Sequence, residues 1–178
     1  KKLFLENNII NNSQTFLIRG SGVDLSKFYY EVESISSIKV IFLGRLLKDK
    51  GITEFIDSAR LTRNIHPEIK FLVVGDSDYN NPSSISNEQI LSWKDEGVVE
   101  FLGYKKNIDE ILRKSNIVVL PSYREGLPKV LIEAASTGRS VVTTNVPGCR
   151  DAIINNKTGL LVPVKDSEAL HKAIVRLA

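Results

Sequence analysis

Residues 39 to 61 read KVIFLGRLLKDKGITEFIDSARL, and two periodicities meet in that stretch. KVIFLG at 39 to 44 is apolar almost throughout, as a strand is when both of its faces are covered. After the basic loop RLLKDKG, the residues Ile52, Phe55, Ile56 and Ala59 recur at helical spacing. A strand buried on both sides and followed at once by an amphipathic helix is the repeating unit of an open α/β sheet.

The rest of the chain repeats the unit. KFLVVG at 70 to 75, VVEFLG at 98 to 103, IVVLP at 117 to 121 and SVVTT at 140 to 144 read as further strands, as does TFLI at 15 to 18. TGLLVP at 158 to 163 reads as a short edge strand. Between them, IDEILRKS places Ile108, Ile111 and Leu112 on one helical face, and PKVLIEAAST does the same with Val130, Leu131, Ala134 and Ala135. Cys149 to Ile154 starts another helix after a turn at Val146-Pro147-Gly148. DSEALHKAIVRLA closes the series with Asp166 or Ser167 as cap and a stripe of Leu170, Ala173, Ile174 and Leu177. The expected fold is a Rossmann-like open parallel sheet with right-handed crossovers and helices on both faces. The least regular part, SDYNNPSSISNEQ at 77 to 89, is a polar loop, either a surface excursion or a lid, leading into a short helix with Ile90, Leu91 and Trp93.

With 178 residues, 42% of them hydrophobic and 25% charged, the chain suits one globular domain. A formal charge of +3 is too small to indicate nucleic acid, and no stretch is long and apolar enough to span a bilayer. The single Cys149 excludes an internal disulfide framework and is either a reactive thiol or a small buried residue. The chain opens KKLFLENN and contains no Met, as a piece of something longer would.

In such a sheet, ligands bind beyond the carboxyl ends of the strands, where the strand order reverses. The first loop there carries Gly44, Arg45, Lys48 and Lys50 directly before a helix; guanidinium, ammonium and free helix amides all attract phosphate. Two other strands end in Gly75 and Gly103, the latter followed by Tyr104 and Lys105. Tyr104 is either a base-stacking ring or a half-buried structural aromatic. Neither a G-x-G-x-x-G nor a G-x-x-x-x-G-K-[ST] pattern is present, which argues against a dinucleotide or nucleoside-triphosphate fingerprint.

SYREGLPKVLIE at 122 to 133 is the other informative loop. Pro128 suits the first turn of a helix, which leaves the amides of Leu127, Lys129 and Val130 open to an anion or to hydroxyls. Lys129 and Glu133 are four apart on one face, in the weaker order for an ion pair, and a first-turn cation opposes the helix dipole. A bound phosphate would reverse that argument for Lys129, with Arg45 and Lys50 nearby to offset the acids. Glu125 and Glu133 each bring two acceptor oxygens suited to sugar hydroxyls.

Taken with GVD at 22 to 24 followed by Phe28, GRLLKDKG at 44 to 51, VVG at 73 to 75, FLG at 101 to 103, PSYREGLPKVLIEA at 121 to 134 and VPGCRDAI with NNKTGLLVP at 146 to 163, the chain resembles the nucleotide-sugar-binding half of retaining two-domain (GT-B) glycosyltransferases of family 4, those with two acids in E-x7-E spacing. The resemblance implies that residues 1 to 178 are a C-terminal donor-binding domain whose N-terminal acceptor domain is absent from the chain. It implies a catalytic set of Arg45 and Lys50 on the donor diphosphate and Glu125 near the transferred sugar. Donor contacts would come from Gly44, Gly126, Leu127 and Lys129, from Gly103, Tyr104 and Lys105 around the base, and from Glu133 on the ribose. The family pattern does not require Lys129, whose phosphate role comes from the dipole argument, and Ser21 stands where Asn commonly precedes GVD. No metal and no cofactor are implied, with a UDP- or GDP-linked sugar as the donor. A glycan or lipid-linked acceptor, a cytoplasmic location and peripheral association of the full-length protein with the inner face of the membrane are implied likewise. Two rival readings are a nucleotide-sugar epimerase, which would form free sugar epimer without acceptor, and a non-catalytic sugar-nucleotide module, which would bind donor and transfer nothing.

Overall fold

A computed structural model of the chain describes residues 2–16 and 20–178. Six parallel strands form one sheet: β1 (Lys39–Leu43), β2 (Lys70–Val74), β3 (Glu100–Gly103), β4 (Ile117–Leu120), β5 (Ser140–Thr144) and β6 (Gly159–Val162), in the order β3-β2-β1-β4-β5-β6. The helices are α1 (Lys2–Glu6), α2 (Ile52–Arg63), α3 (Asn87–Glu96), α4 (Ile108–Arg113), α5 (Lys129–Ser136), α6 (Cys149–Ala152) and α7 (Ser167–Leu177).

The near-continuous apolar runs are explained by two-sided burial. Along β1, Val40 and Phe42 enter one core with Ile52, Phe55 and Ile56 of α2, Ile90 and Trp93 of α3, and Leu170 and Ile174 of α7. Ile41 and Leu43 alternate into the other, with Leu112 of α4, Leu131 and Ala134 of α5 and Cys149 of α6. Phe55 anchors the first core between Phe42 and Phe71, with ring centroids 5.6 and 5.7 Å away. The last helix is capped by Asp166, whose side chain accepts from the Ala169 amide. β6 is an edge strand, as expected from sequence.

Some sequence expectations are corrected. Thr15 and Phe16 are in no strand and Phe16 is exposed, while the remainder of TFLI lies outside the described residues. Strand β3 starts at Glu100, two residues later than VVEFLG suggests; Val99 is still buried in the core, but without strand pairing. Ala135 is exposed, although it lies one helical turn beyond Leu131; burial on α5 is confined to Leu131 and Ala134. Pro128 is the N-cap of α5 and not its first residue, because its φ of −69° suits a helix but its ψ of 117° is extended. The helix after Gly148 is over by Ala152, where Ile153 returns to extended backbone.

From β1 the chain runs outward to β2 and β3, then returns to lay β4, β5 and β6 on the other side. The strand order therefore reverses between β1 and β4, and the loops after those two strands flank a crevice.

Candidate functional site at the carboxyl ends of β1, β2 and β4

The loop after β1 closes in a single turn, Lys48–Lys50, ending at Gly51 in the left-handed region (φ 74°). A Cβ on Gly51 would lie 2.2 Å from the Pro121 carbonyl oxygen, so only glycine lets this turn sit against the loop after β4. That close approach brings Lys50 to Glu125. The Lys50 ammonium is 2.5 Å from Glu125 Oε1, and Ser122 Oγ donates to the same oxygen at 2.8 Å. Ser122 is fully buried, and its carbonyl accepts the Thr144 hydroxyl from β5. Beneath the loop, Gly148 (φ 84°) meets the Gly126 carbonyl so closely that a Cβ would stand 1.9 Å from it.

Glu133 is set differently, on the second turn of α5. Its nearest cation is the exposed Lys129, 3.6 Å away. Burial pushes the Glu133 carboxyl above its ordinary range, with Lys129 and, more weakly, Lys27 pulling it back. At the start of α5 the Pro128 carbonyl accepts the Leu131 amide, while the amides of Leu127, Lys129 and Val130 find no acceptor among the described residues.

Two cavities share this edge of the sheet. The larger, about 610 Å³, is bordered by Arg45, Asp76, Asp78, Tyr104, Lys105 and Glu133 among others. The smaller, about 370 Å³, is bordered by Arg45, Lys50, Glu125, Leu127, Lys129 and Val130. Leu43, Gly44, Arg45 and Val130 line both, so the two form a continuous groove. Tyr104 is 67% exposed, which removes the half-buried structural reading of that ring. Gly103 borders an adjoining cavity of about 420 Å³ with Gly75 and Asp76. Gly126 lines neither part of the groove; its contribution is the carbonyl over Gly148. A separate cavity of about 730 Å³, bordered by Arg63, Lys70, Lys94 and Glu100, lies away from the strand carboxyl ends and gathers none of the predicted residues.

Three features were not foreseen from sequence. Ser122 stands in the quoted stretch with no role that its spacing reveals, and only the fold shows its hydroxyl on Glu125. Arg45 pairs with Asp78, Nη1 to Oδ2 at 2.6 Å. The loop that carries Asp78 is stitched to the β1 loop by Leu46 N to Asp76 O, Lys48 N to Ser83 O and Ile85 N to Leu46 O, each 2.8 to 3.0 Å. The 77 to 89 segment is thus a wall built onto the site, shortened by a helix that begins at Asn87. Cys149 is fully buried and its thiol is pushed up by desolvation, as a small packing residue would be.

The groove offers the Arg45 guanidinium, paired with Asp78, the Lys50 ammonium, paired with Glu125, and the open amides of Leu127, Lys129 and Val130, with Glu133 in the larger cavity. Such a sequence of groups suits an anionic ligand that carries hydroxyl-bearing rings on both sides of its charge. Among the described residues, no cluster of three or more His, Cys, Asp or Glu is gathered as metal ligands would be, and no helix is long and apolar enough to cross a membrane.

Residues 37–178 match the family described as Glycosyl transferases group 1. The chain is 33% identical over 184 residues to the N,N'-diacetylbacillosaminyl-diphospho-undecaprenol alpha-1,3-N-acetylgalactosaminyltransferase of Campylobacter jejuni, covering 96% of this chain and 47% of that enzyme. It is 29% identical over 170 residues to the UDP-Gal:alpha-D-GlcNAc-diphosphoundecaprenol alpha-1,3-galactosyltransferase of Escherichia coli, covering 88% of this chain and 43% of that one. It therefore spans under half the length of either relative. A crystal structure of the C-terminal domain of a glycosyl transferase group 1 family protein, LpcC from Francisella tularensis, is 25% identical with a TM-score of 0.72, covering 88% of this chain and 87% of that one.

Proposed function

The chain belongs to the group 1 glycosyl transferases, and from that premise we propose that it is the C-terminal, donor-binding domain of a retaining enzyme that transfers a sugar from a nucleotide-sugar donor to a glycan or lipid-linked acceptor. The observation that carries the reading is the groove itself: Arg45 borders both cavities, with Lys50 and Glu125 on one side of it and Glu133, Tyr104 and Lys105 on the other. In this reading the base lies by Gly103, Tyr104 and Lys105, and the ribose hydroxyls meet Glu133. The diphosphate meets Gly44, Arg45, Lys50 and the amides at the start of α5, with Lys129 beside it. The transferred sugar meets Glu125 together with the backbone of Gly126 and Leu127.

The same geometry supports a mechanism. When the glycosyl bond breaks, negative charge grows on the leaving diphosphate, and Arg45 and Lys50 lower the barrier by meeting that charge as it develops. Lys50 and Ser122 both hold Glu125 by Oε1, which leaves Oε2 for a sugar hydroxyl. No nucleophile is assigned; substrate-assisted transfer on one face fits an acid that is already engaged by an ion pair. The likeness to a C-terminal domain of the same family supports the placement within a longer protein. The name of the Escherichia coli relative supports a UDP-linked donor, and both relatives' names support a polyprenol-linked acceptor. Acceptor contacts then come from a domain outside this chain, and the isolated chain binds nucleotide weakly and catalyses little.

Calorimetry and backbone NMR of the 178-residue chain with UDP, GDP and uridine test the reading. The diphosphates should bind more tightly than uridine and perturb Arg45, Lys50 and residues 125 to 133. Equal affinity for UDP and uridine, or perturbations confined to residues 77 to 89, would overturn it.

A further inference from the structure

The turn that carries Lys50 and the loop that carries Glu125 are joined by a second set of contacts, which the donor groups do not use. The Tyr123 amide donates to the Asp49 carbonyl at 2.9 Å, and the Tyr123 hydroxyl donates to Glu54 Oε1 at 2.6 Å. Gly51 presses on the Pro121 carbonyl. All of these residues lie within four positions of Lys50 or Glu125 in the chain, so the contacts bracket that ion pair.

Packing alone does not account for the bracket. Asp49 Oδ1 and Glu54 Oε2 are buried with no partner among the described residues, and an unpartnered buried oxygen is costly where an apolar pair of similar size would not be. Removal of the hydroxyl from Tyr123 would leave its ring, the hydrogen bond from its amide to the Asp49 carbonyl and the Lys165 ammonium 5.1 Å over its face in place. Burial, then Glu54 and Asp49, push the phenol well above its ordinary range, so it stays a donor throughout the neutral region.

We infer that Tyr123 and Glu54 are a positioning pair: the phenol on Glu54 Oε1 holds the Glu125 loop against the Lys50 turn and so aims the Lys50 ammonium at the donor diphosphate. The inference rests on the donor-binding reading above. Neither residue touches the donor; both act through Lys50. Their effect is therefore confined to ligands that carry the diphosphate, and it vanishes when Lys50 is absent.

The test is calorimetry of the chain with UDP and with uridine for wild type, Tyr123→Phe, Glu54→Gln, Lys50→Ala and the Lys50→Ala/Tyr123→Phe double variant. Tyr123→Phe should weaken UDP about three- to tenfold, the range expected for one lost hydrogen bond, and leave uridine unchanged. Glu54→Gln keeps a carbonyl acceptor for the phenol and should stay within about twofold of wild type. In the Lys50→Ala background, Tyr123→Phe should add nothing. Equal losses for UDP and uridine, or losses that add fully to Lys50→Ala, would reduce the pair to packing and overturn the inference. A wild-type chain that fails to prefer UDP over uridine overturns the donor reading instead. The Lys50 ζ-nitrogen and Glu125 carboxyl resonances of the nucleotide-free chain then decide the positioning: displacement in Tyr123→Phe but not in Glu54→Gln supports it, and no displacement in either refutes it.

Discussion

The loop that carries Glu125 and the helix that carries Glu133 leave the same fraction of the two side chains, 12%, open to solvent. They treat the carboxylates in opposite ways. At Glu125, a half-buried ammonium and a fully buried hydroxyl converge on one oxygen. At Glu133, the nearest cation is an exposed lysine at 3.6 Å, and burial is the dominant influence on the carboxyl. Equal burial therefore does not mean equal electrostatics: what separates the two acids is whether the fold supplies a partner that is itself desolvated. The first acid is fixed before a ligand arrives, and the second is under-satisfied until hydroxyl donors reach it.

The largest effect that should break this comparison is kinetic. In the full-length enzyme, Glu125→Ala should lower kcat on the order of 10²- to 10³-fold, the scale of losing one group organised for the transition state, while Glu133→Ala should act chiefly by raising KM for the donor. If both variants lose kcat and KM in the same proportion, the two acids do not divide the work. Next in size, Lys50→Ala leaves Glu125 with no cation and should cost the chain about 1–3 kcal/mol in urea denaturation, discounted from a fully buried pair because Lys50 is 22% exposed. Adding Glu125→Gln should recover most of that loss. A double variant no more stable than Lys50→Ala would mean that the pair does not hold the loop.

The strands and their two-sided burial were legible because most of the runs are apolar almost throughout and alternate with amphipathic helices, the pattern of a covered parallel sheet. Arg45, Lys50 and Glu125 could be picked out because they lie in loops that follow strands, and Glu133 because it stands on the helix that the second of those loops enters. What stayed hidden depends on contacts far apart in the chain. Asp78 meets Arg45 across 33 residues and Tyr123 meets Glu54 across 69, and neither pair has a spacing that local periodicity can detect. Ser122 was hidden for another reason: a serine after a strand is common, and only its complete burial beneath Glu125 gives it a role. Ala135 shows the reverse failure: it shares the helical face of Leu131, four residues earlier, yet stands exposed next to the end of α5, because periodicity does not say how far along a helix the packing extends.

A smaller effect sharpens the comparison through pH. Because burial raises the Glu133 carboxyl, the folded chain takes up a proton there before the unfolded chain does as pH falls from neutral. Its contribution to stability is complete below the ordinary carboxylate value and is lost as pH rises through the raised one. Glu133→Gln removes the titration, so it should stabilise the chain at neutral pH, and the advantage should close on acidification across that window. Thermal melts of both chains through the acid range measure it. A constant gap would show that no difference in protonation between folded and unfolded chains is involved.

The smallest effect falls on Lys129, where two surface terms nearly cancel. Its replacement by Ala gives up an exposed i,i+4 pair worth about 0.2–0.5 kcal/mol in the less favourable order. It also removes a cation from the positive end of α5, a gain of about 0.3 kcal/mol or more. Melting should therefore move little, and any larger change must come from a ligand. With a diphosphate in the smaller cavity that Lys129 borders, the same cation at the helix start turns from a misfit into a contact. Lys129→Ala should then weaken UDP about two- to threefold, leave uridine unchanged, and lose that difference at high salt because the ammonium is exposed. An unchanged UDP affinity would return Lys129 to the role of a loose partner for Glu133, and would leave Arg45 and Lys50 as the side chains that distinguish the diphosphate end of the groove.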